Sequence, residues 1–103
     1  MTSISFSVVG MYAGATLSIG GSYNTDYVVV ERFAGASSRG KLDNGSYVNG
    51  DVSTATDVNF GIGGLLSHTN IRFYGAIQRA AQFSDAEIAQ LVTYFAARQG
   101  RVL

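Results

Sequence analysis

Few side chains in this 103-residue sequence could carry out bond chemistry. Glycoside cleavage needs two carboxyls facing each other across a sugar. The chain holds two glutamates, Glu31 and Glu87, and no strand of alternating acids. Glu31 alternates with valines beside Arg32, which suits the solvated face of a strand. Glu87 stands three residues after Ser84, the spacing of a capping box, in which the N-cap hydroxyl and the N3 carboxylate each accept a backbone N–H. Asp26, Asp43, Asp51, Asp57 and Asp85 fall in turn sequences or at a helix start, where Asp is favoured for its local hydrogen bonding. His68 is the single imidazole and there is no cysteine. With no second His, no thiol and no G-x-S-x-G motif, neither a nucleophilic triad nor a zinc centre is available, and disulfides are excluded. The glycines from Gly61 to Gly64 lack the Lys-Ser/Thr of a phosphate loop and read as a turn or bulge. The residues therefore predict a protein that is not an enzyme and carries no cofactor.

Binding chemistry is better represented. Tyr12, Tyr23, Tyr47 and Tyr74 fall near turns or on exposed faces, and a tyrosine ring can stack on a sugar while its hydroxyl makes a hydrogen bond. Tyrosine is also a common residue of half-buried sheets and protein interfaces. Asp43, Asn44, Asn49 and Asp51 lie in neighbouring turns and could converge oxygens on calcium. Turn formation is the better account of them, no EF-hand spacing is present, and no metal is expected. Seven basic side chains balance seven acidic ones, so neither nucleic acid nor an anionic membrane is an expected partner. The N-terminus alternates polar and apolar residues without a basic start, and no stretch reaches the ~18 apolar residues of a membrane span.

The elements that must position these residues follow from periodicity. A chain of this length makes one domain, residues 1–103. Up to Phe83 the period is two, with glycine and Asn/Asp turns between the runs. Ile4, Phe6 and Val8 face one way in a first strand, and Ala15 to Ile19 form a second. Tyr27 to Phe33 is β-branched and aromatic, and its three consecutive valines predict burial on both faces and a place in mid-sheet. Arg39 to Leu42 and Ser46 to Val48 flank Asn44-Gly45, a pair suited to the two positive-φ positions of a type I′ turn. Asn49-Gly50 reads as a further turn, Val58 to Ile62 as another strand, and Ile71 to Phe83 as a bent strand in which Gly75 marks a bulge or a close backbone approach. The period then changes to 3.6. Ser84 and Glu87 open a helix of about residues 85–99, Phe83 and Ile88 stand at staple positions, Ile88, Leu91, Val92 and Phe95 form an apolar stripe, and Gly100 fits the position that ends the helix. The sequence predicts a mainly β, antiparallel β-sandwich closed by one C-terminal amphipathic α-helix. The first strand carries no Lys or Pro to guard an edge, and Lys41 is the only lysine. Coverage of the edges by another subunit is the expected remedy, hence a homo-oligomer.

The order D-Y-V-V-V-E-R-F-A-G-A-S-S, a hairpin ending in Val48-Asn49-Gly50, the glycines Gly61 to Gly64, then Gly75-Ala76-Ile77 and Phe83-Ser84-Asp85-Ala86-Glu87 through Gly100 resembles the C-terminal half of the concanavalin A-like lectin/glucanase superfamily. The nearest variety is the laminin-G-like jelly-roll module of phage tail and capsid-associated proteins. The resemblance spans about three quarters of the chain. It implies a shortened jelly-roll and a virion structural protein, either a capsid decoration or a tail-fibre or tailspike component. Such a module works by assembly with other virion proteins, and by analogy with phage fibres as a trimer. The resemblance likewise implies a location in the virion after assembly in the host cytoplasm. The alternative it implies is a carbohydrate-binding module for host cell-surface glycan. The acidic E-x-D-x-E strand of the glucanase branch has no counterpart here.

Overall fold

A computed structural model describes residues 2–5, 8–22, 24–54 and 74–103. The chain is mostly β, with two antiparallel sheets and one C-terminal helix. The first sheet has the order β1 (Thr2–Ser5), β2 (Val8–Tyr12), β3 (Thr16–Gly20), and the second β4 (Val29–Arg32), β5 (Ser38–Leu42), β6 (Val48–Gly50). A 3-10 turn, Gly35–Ser37, links β4 to β5, and α1 spans Asp85–Arg98.

The expected first strand is two strands. Thr2–Ser5 pairs antiparallel with Val8–Met11, Ser5 opposite Val8, and no glycine or Asn/Asp pair in the sequence separates them; Phe6 lies outside the described residues. Apolar burial in the first sheet follows the two-residue period of a strand: Val9, Met11 and Ile19 are buried, with Leu17 packed beside them. Together with Val52 they form one apolar cluster, against which Val29 and Leu42 of the second sheet are packed. Gly40 permits this approach, because a Cβ there would lie 2.5 Å from Ile19 Cδ1 and 2.9 Å from Met11 Sδ. The Ala15 N–H also donates to the Val52 carbonyl at 3.1 Å, a backbone link between the two halves.

Residues paired across β4 and β5 share a face, which sorts the second sheet into two sides. Val29 pairs with Leu42 and Glu31 with Gly40 on the side of the first sheet; Val30 pairs with Lys41 and Arg32 with Arg39 on the other. Val28 continues the second set and is buried with Val92 and Ala96 of α1, with Val30, Ile88 and Phe95 around them. The second sheet therefore has an apolar cluster on each side. This accounts for the three consecutive valines, whose burial on both faces the sequence predicts. Among the described residues β4 is hydrogen-bonded to β5 alone, and its double burial comes from the layers above and below it.

Three further expectations change. The β5–β6 turn has its positive φ at Asp43 (53°), outside the Asn44-Gly45 pair, because Asp43 is held from elsewhere in the chain. Asn49-Gly50 belongs to β6, and Gly50 is a close-approach residue, since a Cβ there would meet Leu17 Cδ1 at 2.7 Å. Residues 74–84 contain no strand; they run beside α1, where Gly75 lies close enough to the Phe95 ring for a Cβ to stand 3.2 Å from it. The expected strand Val58 to Ile62, the glycines Gly61 to Gly64 and His68 lie outside the described residues.

Candidate functional site

The helix is positioned by local chemistry at both ends. Ser84 Oγ accepts the Glu87 N–H at 3.1 Å and Glu87 Oε1 accepts the Ser84 N–H at 3.0 Å, which completes the capping box. Arg79 adds a bond of 3.1 Å to Glu87 Oε2 and lays its guanidinium 4.0 Å from the centre of the Phe83 ring. The Ser84 N–H, Arg79 and the Ser84 hydroxyl together pull the Glu87 carboxyl down to about 2. At the other end Gly100 takes φ 75°, and the N–H groups of Gly100 and Arg101 return to the carbonyls of Ala97 and Ala96, a Schellman turn.

That turn aims Arg101 at Asp43, 58 residues earlier in the chain. The guanidinium fork meets both carboxylate oxygens, at 2.8 and 3.0 Å, and Asp43 Oδ1 also accepts the Val28 N–H at 2.9 Å. Gln99 Nε2 donates to the Tyr27 carbonyl at 2.8 Å, and Arg101 donates to Gln99 Oε1. Burial pushes the Asp43 carboxyl upward, but the Arg101 bonds, the Val28 N–H and the Arg101 charge outweigh it and hold the group below its ordinary value. Asp43 is thus committed to locking the helix end onto the second sheet. Of the other suggested calcium ligands, Asp51 caps the Ser53 N–H at 2.7 Å, and Asn44 and Asn49 are exposed. Among the described residues no group of three acidic or imidazole side chains is placed to hold a metal.

The apolar stripe of the helix divides between two tasks. Val92 is fully buried, with Ile88 and Phe95 beside it, and the small Ala96 completes the contact. Leu91 turns away from that cluster toward an open groove between α1 and residues 74–83. One end of the groove, about 500 Å³, lies between Ile77, Phe83, Leu91 and Tyr94; the other, about 360 Å³, continues past Ile77 and Leu91 to Tyr74, Phe95 and Arg98. Ile77 and Tyr94 are 56% and 54% exposed, high values for large apolar side chains on a small protein.

Of the four tyrosines singled out for sugar stacking, the three described ones lie at different elements. Tyr12 is 42% exposed at the end of β2. Tyr47 precedes β6 beneath Arg39 and Lys41, at 4.0 and 5.0 Å from its ring centre. Tyr74 lies in the groove and donates to Asp26 Oδ2 at 3.4 Å, and Tyr23 lies outside the described residues. Tyr94, Arg39 and Lys41 were not legible as site residues: Tyr94 falls off the apolar stripe, and the two cations sit in an otherwise ordinary strand sequence. No helix among the described residues is long and apolar enough to cross a membrane.

No family model matches the chain, and no curated protein and no solved structure matches it.

Proposed function

We propose that the chain is a non-enzymatic structural module of a virion, a capsid decoration or a component of a tail fibre or tailspike, acting by protein–protein assembly as a homo-oligomer with a trimer as the expected form. The observation that carries the assembly reading is the groove along α1, where Ile77, Leu91 and Tyr94 offer apolar surface to solvent beside a helix already anchored at both ends. Such surface gains free energy when a partner removes it from water. The virion setting is supported by the motif order shared with laminin-G-like phage modules. The same resemblance supports reading the two sheets as the halves of a shortened jelly-roll sandwich, and the Gly40 approach agrees with that reading. Light scattering of the native chain against Tyr94→Asp and Ile77→Asp tests assembly through the groove. The native chain should form a closed oligomer and both variants should dissociate without a lower melting temperature. An unchanged mass in both variants would remove the groove from the account.

A carbohydrate-binding module is the second reading, favoured by one feature, the cluster of Arg39, Lys41, Tyr47 and Asn49 on the helix side of the second sheet.

A further inference from the structure

Arg32 and Arg39 stand directly opposite each other across β4 and β5, and Lys41 lies two residues further along the same face. Like charges placed opposite in a sheet destabilise it, so three of the chain's seven basic side chains on one small face need an explanation. Their neutralisation is thin. Among the described residues the acid paired with them is Asp85, 3.7 Å from Arg39, and its side chain is 92% exposed. Arg32 spends one Nη on the Ser37 carbonyl at 2.7 Å. Among the described residues the buried Nε atoms of both arginines have no hydrogen-bond acceptor, which leaves both guanidiniums under-compensated there. Tyr47 lies against Arg39 and Lys41, and Asn49, exposed and directly opposite Arg39 in the ladder, places a neutral amide beside the charges.

We propose that this face of the second sheet, next to the start of α1, binds an acidic sugar: Arg39 and Lys41 receive its carboxylate, and the Asn49 amide and Tyr47 hydroxyl meet its hydroxyl groups. Cross-strand neighbours on one face stand about 5 Å apart, and alternate residues of a strand about 7 Å apart, the span of one monosaccharide. The arginine fork supplies paired donors matched to a carboxylate. The Tyr47 ring is already covered by Arg39, so recognition proceeds through charge and hydrogen bonds and not through ring stacking. Because the chain has no net charge, the site lacks the extended positive field by which a nucleic-acid backbone is held.

The inference rests on the glycan-binding reading, and the test separates the two. Titration calorimetry at low salt compares tetragalacturonate, neutral cellotetraose and inorganic phosphate. Tetragalacturonate should bind roughly tenfold or more tightly than cellotetraose, and added salt should weaken it. Lys41→Gln and Arg39→Gln, each with its melting temperature retained, should lose roughly tenfold in affinity. Tetragalacturonate binding unchanged in Lys41→Gln overturns the site. Equal binding of cellotetraose overturns it too, while leaving glycan binding in place. Phosphate bound as tightly as the uronate reduces the face to a bare oxyanion cradle and overturns the sugar assignment. No binding of either sugar defeats the glycan reading as well.

Discussion

Asp43 holds three partners at once: the Val28 N–H and both arms of the Arg101 fork. Its side chain and that of Arg101 are 21% and 26% exposed, so water screens the pair only in part. Arg101→Ala should cost about 1–2 kcal/mol in a denaturant melt, between the values of exposed and buried pairs. A double-mutant cycle with Asp43→Asn should recover a coupling of similar size. The Asp43 carboxyl is held below its ordinary value. Its contribution is therefore complete above that ordinary value and is lost as pH falls toward the lower folded one. Gly40 carries the opposite kind of constraint. The Cβ of Gly40→Ala would drive into Ile19 Cδ1 and Met11 Sδ, and the overpacking should cost about 1–3 kcal/mol. A cost near zero would mean that the sheets yield easily at this point. Neither role was legible in the sequence. Asp43 read as a turn residue, which it is, but its partner is 58 residues away. Gly40 read as part of a weak strand, because no local pattern reports what packs above it.

The helix was the most legible element, since its ends are fixed by short-range chemistry: a hydroxyl and a carboxylate three residues apart, and a glycine free to take positive φ. What the stripe packs against was less legible. A periodic pattern gives the direction of a face but not how much of it is covered, so Leu91 and Val92 looked alike in the sequence. Val92→Ala should cost roughly 1–3 kcal/mol, whereas Leu91→Ala should cost less than the roughly 2–5 kcal/mol of a fully buried leucine, because it already borders an open groove. Equal large losses would show that both residues belong to the core. Ser84→Ala should cost about 0.5–2 kcal/mol through the lost cap. Glu87 titrates near 2 in the folded chain against an ordinary 4.5. Helix support from the capping box is thus full above that ordinary value and declines as pH falls toward 2. Circular dichroism of the native chain should show this decline, and Glu87→Gln should flatten it. In the strands, the three consecutive valines entering β4 foretold burial on both sides, which the clusters above and below the second sheet supply. Residues 74–84 mislead: their apolar residues alternate, but they face a groove and not a sheet.

At the scale of the whole molecule, two small apolar clusters lie on the two sides of the second sheet, and the groove along α1 adds apolar surface that neither cluster covers. The sheets are short, and β4 has a single hydrogen-bonded neighbour among the described residues. An apolar groove on the chain favours association, and closed symmetry limits that association to a fixed number of copies. Sedimentation equilibrium of the purified chain at micromolar concentration tests this most directly. The account predicts a single species at three times the chain mass of 10.9 kDa, with the groove variants shifted to one chain mass. A folded native chain that sediments as a 10.9 kDa monomer across the concentration range, and stays so when virion partners are added, would contradict it.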